Sequence, residues 1–259
     1  MKTRARISIA TLAVASALTL LAGCSGTSTA AGTDSADAGA GYAVDSDTLV
    51  FGVVPDSVDT ETNYQPLMDY IAKETGKTVE YNESTDYAAL IEASIAGQVD
   101  VASFSGFTYV TAVNNGAQLT PISSITTAEG QEPGYYSEAI VPKGSTITDL
   151  AGMKGKKVCF VDPSSTSGYL FPSYNLIEAG IDPEADITPV FAGKHDVSVQ
   201  KVGEGVECEA GFAEDSEVEK SDKVDVIAKT MVPGAPIVES DTLPDDVKEK
   251  LRDILGEVT

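Results

Sequence analysis

Apolar and polar positions along the first half of the chain predict strands and helices in regular succession. Short apolar runs that end at turn residues indicate buried strands, and residues 48–54 before Pro55 are one example. Apolar residues on one face, as in residues 64–74, and a capping residue such as Asp86 indicate helices. The predicted order is strand 48–54, helix 64–74, strand 78–81, helix 87–96, strand 99–104 and helix 108–114. This alternation is typical of a parallel sheet covered by helices.

The same pattern starts again in the second half. Predicted strands lie at 136–142, 157–161, 187–191, 208–212 and 224–228, and predicted helices at 147–153, 168–179, 197–203 and 244–255. We interpret the two halves as two α/β lobes with a cleft between them, with a hinge near 134–142 and a return near 230–237. The expected division assigns 47–137 and 235–259 to lobe 1 and 138–234 to lobe 2.

The N-terminal residues form a separate pattern. Lys2, Arg4 and Arg6 precede an apolar run at 7–21, which is too short and wrongly flanked for a stable membrane span. The Leu-Ala-Gly-Cys sequence that ends at Cys24 resembles a bacterial lipobox. We therefore predict a lipoprotein signal peptide at 1–23 and lipidation of Cys24. An ordinary signal peptide with a cysteine at this place by chance is the alternative.

Residues 24–46 are small and polar, with few large apolar side chains. Such a segment buries too little surface to offset the entropy lost on ordering, so the sequence predicts a flexible tether. An exported domain held to the outer face of the cell membrane is the expected localisation.

Composition excludes several classes of function. The chain has 259 residues, with 17 basic against 40 acidic ones, and a net charge of −23. Residues 1–23 hold three of the basic residues and no acidic ones, so the mature chain carries −26. This charge argues against nucleic acid and anionic lipid as partners. Three cysteines and one histidine leave little for a zinc or haem site, and we expect no metal and no cofactor.

A turn rich in hydroxyl groups follows the predicted strand 157–161. Its sequence is Asp-Pro-Ser-Ser-Thr-Ser-Gly at 162–168, where Pro163 stops the strand and Ser165 or Thr166 can cap the next helix. The first turn of that helix presents free backbone N–H groups at the carboxyl edge of a sheet. The turn is therefore a candidate anion site without a formal positive charge, and a purely capping role is the alternative.

Two further turns offer donors to the same space. His195 follows the predicted strand 187–191 in the same lobe, although a lone histidine is more often structural. In lobe 1, the Ser-Phe-Ser-Gly sequence at 103–106 opens a helix, where Ser105 can supply a hydroxyl and the backbone more N–H groups.

These segments together resemble a known family, the PhnD-like substrate-binding proteins of ABC importers for phosphate, phosphite and phosphonate. The resemblance covers roughly residues 48–240, and its most specific part is the turn at 162–168. The matching segments, in their fixed order, are Asp86-Tyr87, Asp100-Val101-Ala102, Gly134-Tyr135-Tyr136-Ser137, 162–172 and 192–196. The resemblance implies a two-lobed periplasmic-binding-protein fold of type II, in which each lobe is a mostly parallel sheet flanked by helices.

The resemblance also implies roles for particular residues. Ser165, Thr166 and Ser167 would hold the oxygens of a phosphorus oxyanion, and His195 would add a ring N–H. Tyr87 matches a pocket tyrosine of the family.

At Phe104 the family often has tyrosine, so a phenolic hydrogen bond is expected to be missing here. In some members of the family, carboxylates hold the ammonium of an aminoalkyl group. Glu209, Glu214 and Asp215 lie in the corresponding region of this chain, and the resemblance does not decide which of them match. The chain also ends sooner after the last strand than the family pattern implies, so we expect a shorter C-terminal cover on lobe 1.

The function that follows is capture of a small phosphorus oxyanion between two closing lobes and delivery to an ABC permease, by a protein expected to be a monomer. The sequence does not separate phosphate, phosphite and phosphonate. A binding protein of the same fold for another small ligand, and a scaffold lipoprotein, remain alternatives. A serine hydrolase would need Ser165 or Ser167 with His195 and Asp196, but a Gly-x-Ser-x-Gly sequence is missing.

The two remaining cysteines are expected to pair. Cys159 lies in the strand before the hydroxyl-rich turn, and Cys208 begins a later strand of the same lobe. After export both would face an oxidising compartment, in which paired thiols form disulfides. Two unrelated buried cysteines are the alternative.

Overall fold

The protein is described by a computed structural model that covers residues 41–82, 84–126 and 130–256. Its strands are β1 Thr48–Val53, β2 Thr78–Asn82, β3 Val101–Ser103, β4 Leu119–Ser124, β5 Gly134–Pro142, β6 Lys157–Phe160, β7 Thr188–Phe191, β8 Ala210–Glu214, β9 Val224–Pro233 and β10 Pro236–Ser240. Its α-helices are α1 Thr60–Thr75, α2 Tyr87–Ile95, α3 Gly106–Asn114, α4 Phe171–Glu178, α5 His195–Glu204, α6 Asp215–Val218 and α7 Asp245–Gly256. A 3₁₀ turn covers Leu150–Met153, and a π-helical turn covers Thr166–Leu170.

The strands form two five-stranded sheets, and each sheet is the centre of one lobe. The first has the order β2-β1-β3-β10-β4 and the second the order β7-β6-β8-β5-β9. In the first sheet β1 pairs in parallel with β2 and β3, while β10 is antiparallel to β3 and β4. In the second, β6 pairs in parallel with β7 and β8, while β5 is antiparallel to β8 and β9. The two-lobed α/β fold is therefore confirmed.

The sheets are mixed rather than mostly parallel. The antiparallel pairings involve β5, β9 and β10, which lie next to the points where the chain changes lobe, and such strands need no helical crossover. Since β5 pairs with β9 from Gly134 onward, the predicted change of lobe at 137–138 falls inside β5. The chain enters the second sheet before Gly134 and returns to the first at Pro236.

Helices cover both faces of each sheet because both faces are apolar. Consecutive β3 residues Val101 and Ala102 belong to different buried clusters, one containing α1 and α7 residues and one containing α2 and α3 residues. In the second sheet, Val158 and Cys159 divide in the same way between a cluster with α4 and one with α5 and α6. This alternation follows from the two-residue period of a strand.

Most elements predicted from the sequence are present within a few residues of the expected bounds, but three are missed. β4 and β10 carry Pro121 and Pro236, and α6 is only four residues long. A proline in a short, half-polar run argues against a strand when only local pattern is considered. Both strands form because they pair with each other across a long chain separation.

The end of the predicted tether packs on lobe 1. Asp100 is 1% exposed, and its carboxylate accepts hydrogen bonds from Ala43 N at 2.9 Å and Val50 N at 2.8 Å. The Lys77 ammonium lies 4.9 Å from the centre of the Tyr42 ring. Residues 41–46 are therefore part of the folded lobe, because Ala43 supplies one of the two N–H donors that the buried Asp100 carboxylate needs. The signal peptide, Cys24 and the rest of the tether lie outside the described residues.

A disulfide joins Cys159 in β6 to Cys208, just before β8, with their Cα atoms 5.7 Å apart. Both cysteines are completely buried under α5, beside Val199 and Val202. No helix within the described ranges is long and apolar enough to span a membrane.

Candidate functional site

The hydroxyl-rich turn is a tightly bonded structure at the end of β6. The Ser165 hydroxyl oxygen accepts from Gly168 N at 3.0 Å, so Ser165, one of the two capping candidates in the sequence, caps the π-helical turn. Asp162 accepts from Ser164 N at 2.7 Å and holds the start of the turn. Ser165, Thr166 and Ser167 are 1%, 2% and 0% exposed. These hydroxyls are therefore shielded from bulk water.

The turn meets the first turn of α3 from the other lobe. Phe107 N donates to Thr166 Oγ1 at 2.8 Å, and the Thr108 hydroxyl donates to the Ser164 carbonyl at 2.9 Å. Ser105 Oγ lies 2.6 Å from Thr108 Oγ1. The two donor-rich turns that the sequence placed in separate lobes thus face each other directly, which corresponds to a closed arrangement of the lobes.

His195 is the first residue of α5 and is 2% exposed. Its backbone N–H donates to the Asp56 carbonyl at 2.8 Å, and its Nδ1 accepts from Glu214 N at 2.9 Å. Burial lowers the pKa of His195 to about 4, so the ring is neutral at physiological pH. Because Nδ1 accepts a hydrogen bond, the neutral ring carries its proton on Nε2. His195 is therefore a neutral side chain with a ring N–H available to donate.

Tyr87, the first residue of α2, is fully buried beneath the same region. Its hydroxyl donates to Asp56 Oδ1 at 3.5 Å and interacts with the Ser165 hydroxyl. Ser167 Oγ faces the Tyr135 hydroxyl but makes no hydrogen bond of standard geometry with a described residue. Tyr87 and Ser167 thus connect the buried hydroxyls to the wall of a cavity.

That cavity lies between the lobes and has a volume of about 290 Å³. Lobe 1 contributes the loop after β1, one face of α1 and the end of β3, and lobe 2 contributes the start of β5 and the end of β8 with α6. Of the predicted ligand residues, Phe104 and Ser105 line it. The other predicted ligand residues form a buried layer behind the cavity wall and contact the residues of that wall directly or through one neighbour. They are Tyr87, Ser165, Thr166, Ser167 and His195.

Sequence reasoning missed Asp56, the main acidic residue of lobe 1 in this cavity. Asp56 and Glu214 both line it, and burial, reinforced for Asp56 by the charge of Glu214, raises the pKa of both carboxyls. The position of Asp56 directly after β1 is the signal that could have identified it, since ligands of α/β sheets bind at carboxyl strand ends.

The three acidic residues of lobe 2 that the resemblance brought forward divide into two groups. Glu214 and Asp215 line the cavity. Glu209 lies at the surface, where it pairs with Lys156 at 2.9 Å, so it is not a ligand contact.

The geometry fits neither a metal centre nor a hydrolase triad. Asp56, His195 and Glu214 each offer an atom within 4.8 Å of the others, but the Nδ1 lone pair of His195 is already engaged and Nε2 carries a proton. Asp196, the expected third member of a triad, accepts from Val58 N at 3.1 Å in the other lobe. The adjacent histidine and aspartate therefore serve different partners, and a triad through Asp196 is not formed.

A two-lobed α/β protein with buried, neutral donors around a small interlobe cavity is a substrate-binding protein. The family model for the periplasmic substrate-binding protein of phosphonate ABC transporters matches residues 51–259. The chain belongs to this family, as the sequence resemblance predicted, and it is a binding protein rather than an enzyme.

Three relatives illustrate the similarity. The chain is 38% identical to the phosphate-import protein PhnD of Mycolicibacterium smegmatis, over 99% of this chain and 84% of that protein. It is 28% identical to the phosphonates-binding periplasmic protein of Escherichia coli, over 79% of this chain and 64% of that protein. A crystal structure of a binding protein component of an ABC phosphonate transporter from Pseudomonas aeruginosa is similar with a TM-score of 0.72 at 27% identity, covering 80% of this chain and 72% of that one.

Proposed function

We propose that this protein captures a small phosphorus oxyanion (phosphate, phosphite or a phosphonate) between its lobes and delivers it to an ABC permease. The observation that carries the proposal is the meeting of the turn at 162–168 with the start of α3 beside a neutral His195. Donors without charge suit an anion because fixed N–H and O–H groups replace its hydration shell.

Calorimetric titration of the mature protein with phosphate, phosphite and methylphosphonate tests this function. Binding of at least one of the three supports the proposal. Failure of all three to bind, with a thermal unfolding transition that shows a folded protein, would contradict it.

Replacing Thr166 with valine is expected to weaken ligand binding while the fold is retained. Valine has nearly the same shape but no hydroxyl, so Phe107 N loses its acceptor across the lobes. A buried group left unpaired costs about 1–3 kcal/mol, which corresponds to roughly five- to a hundred-fold in Kd. Calorimetry measures the Kd, and the Tm reports on folding.

Two control variants accompany this test. Thr166→Ser keeps the hydroxyl and should bind nearly as well as the wild type. Lys201→Ala removes a surface cation that pairs with Glu207, and it should change the affinity little. If Lys201→Ala or Lys194→Ala abolishes binding and Thr166→Val does not, neutral donors are not the basis of capture.

We further propose that the mature protein is a monomer anchored by a lipid on Cys24. Replacing Cys24 with alanine removes the thiol that would carry the lipid, and the protein is expected to move from the membrane fraction to the soluble extracytoplasmic fraction. Fractionation followed by immunoblotting measures this, with Ser25→Ala as the matched control. Membrane retention of Cys24→Ala would contradict lipid anchoring.

A further inference from the structure

A second contact joins the two lobes, apart from the one between the hydroxyl-rich turn and α3. It connects the loop after β1 in lobe 1 with the start of α5 in lobe 2. The His195 backbone N–H donates to the Asp56 carbonyl at 2.8 Å, and Val58 N donates to Asp196 Oδ2 at 3.1 Å. We call this contact the interlobe clasp. Its residues are 56–58 and 194–196.

The clasp lies beside the ligand cavity and not in its wall. Val58 and Asp196 do not line the cavity of about 290 Å³, and they line a separate groove between the lobes instead. Asp56 does line the cavity, but it enters the clasp through its backbone carbonyl. The Asp196 side chain therefore joins the lobes at a place where it does not touch the proposed ligand.

The Asp196 carboxylate bridges two elements with its two oxygens. Oδ1 accepts from Val197 N at 2.8 Å within the first turn of α5, and Oδ2 accepts from Val58 N across the lobes. The bond within α5 fixes the direction of the carboxylate, so its second oxygen is already aimed at lobe 1. An ionised acceptor also makes a stronger hydrogen bond than a neutral one. Since Val58 and Asp196 belong to different lobes, the bond between them breaks when the lobes separate.

The surroundings of this bond make it reversible. The Val58 side chain is 75% exposed, and Asp196 is partly buried. Water can therefore take the place of either partner when the lobes part, and opening leaves no buried polar group unpaired. A hydrogen bond of this kind shifts the balance between the open and closed forms without locking the closed one.

We infer that Asp196 is a positioning residue, which holds the lobes closed over the bound ligand and sets its residence time without contacting it. The inference rests on the proposed function, because closure can retain only a ligand that the protein captures. A ligand enters and leaves through the open form, so a weaker closed form speeds its departure and leaves its entry unchanged. The modest strength of the bond also lets the lobes reopen for delivery.

Replacing Asp196 with alanine tests the inference through the rates of ligand binding. The dissociation rate constant is expected to rise about two- to ten-fold, the effect of one hydrogen bond, while the association rate constant stays within about two-fold. Asp196→Asn keeps an acceptor oxygen for Val58 N and should restore most of the slow dissociation. Stopped-flow tyrosine fluorescence measures both constants with phosphate, phosphite or methylphosphonate, whichever the wild type binds most tightly.

Asp246→Ala is the matched control. It also removes a carboxylate from the first turn of a helix, but Asp246 is exposed on α7, which packs against the sheet of lobe 1. Both rate constants of this variant should equal those of the wild type. The Tm of each variant shows whether it is folded.

Amide hydrogen exchange of the wild type, followed by NMR, tests the clasp without any substitution. The Val58 N–H is expected to exchange at least about ten-fold more slowly with bound ligand than without it, because the closed form supplies its acceptor. In Asp196→Ala this protection of Val58 should be lost. The His195 N–H should stay protected by ligand in the same variant, since its acceptor is a backbone carbonyl.

The outcomes separate this inference from the proposed function. A wild type that binds none of the three ligands contradicts the proposed function, and the inference falls with it. A wild type that binds ligand but gives Val58 N–H no protection overturns the inference alone, and this measurement decides if Asp196→Ala is not folded. In a folded Asp196→Ala, an unchanged dissociation rate, or a rise that Asp246→Ala shows equally, also overturns the inference and leaves the function in place.

Discussion

Replacing Gly168 with alanine is expected to destabilise the protein and to abolish ligand binding at micromolar protein concentration. A Cβ atom at this position would overlap the side chain of Val161 and would lie 2.8 Å from Ser165 Oγ. The backbone is held there by a hydrogen bond from Val161 N to the Gly168 carbonyl at 3.1 Å, so the turn cannot move away freely. Overpacking of this kind costs on the order of 3 kcal/mol.

The loss of binding follows from the same overlap. Shifting Gly168 breaks the cap at Ser165 and displaces the adjacent hydroxyls of Thr166 and Ser167. If these hydroxyls hold the ligand as proposed, each displaced donor weakens binding by about 1–3 kcal/mol, and the combined loss is expected to exceed what calorimetry detects.

Gly106→Ala is the control on the facing turn of α3. There a Cβ would meet only Thr166 Oγ1, at 3.9 Å, which is an ordinary contact. Chemical denaturation measures the free energy of unfolding of both variants, and calorimetry measures binding. If Gly168→Ala has the same free energy of unfolding and the same ligand affinity as Gly106→Ala, the turn adjusts to the added methyl group. The close packing at Gly168 would then not be required for stability or for binding.

Removing the disulfide is expected to lower the free energy of unfolding more than any of the other substitutions proposed for this protein. Replacing both Cys159 and Cys208 with alanine opens a link between residues separated by 49 positions. In the chain-entropy model a link of this length stabilises the folded state by about 4 kcal/mol. Much of the stability of a typical domain would be lost, since the total is about 5–15 kcal/mol.

Two measurements check this prediction. In the mature protein carrying Cys24→Ala, thiol titration under denaturing, non-reducing conditions should detect no free thiol, and two free thiols would contradict the disulfide. Denaturant unfolding should give the double variant and the reduced wild type similar stabilities. A reductant that lowers the stability of the double variant as much as that of the wild type would show that the effect does not come from this bond.

The elements near the site could largely be predicted from sequence, but their contacts could not. The strand 157–161, the cap at Ser165 and the helix starting near Gly106 all follow from local patterns of apolar, proline and hydroxyl residues. By contrast, the bond from Phe107 N to Thr166 Oγ1 joins residues 59 positions apart. Local pattern carries no information about which turn of one lobe faces which turn of the other.

The same distinction explains what was missed. In the sequence β10 is a short apolar run that begins at a proline, which does not by itself predict a strand. It forms the strand between β3 and β4 because the chain returns to lobe 1 at this point. In the sequence Asp56 resembles an ordinary turn residue after β1, and its raised pKa depends in part on Glu214, which lies far along the chain in the other lobe. Residues 41–46 were predicted as part of the tether because their own sequence gives no sign that the buried Asp100 requires a hydrogen-bond donor from them.

The sequence by itself determined most of the succession of strands and helices and the family, and it predicted the hydroxyl-rich turn and His195 as candidate donors. Those features depend on residue periodicity, turn chemistry and a fixed order of segments, all of which are local or linear along the chain. The tertiary structure decided the mixed pairing of the sheets, the contact between the two donor turns, the tautomer of His195 and the placement of Asp56 opposite Glu214. Each of these depends on hydrogen bonds, burial or charge between distant residues, and such energies exist only once the lobes are packed together.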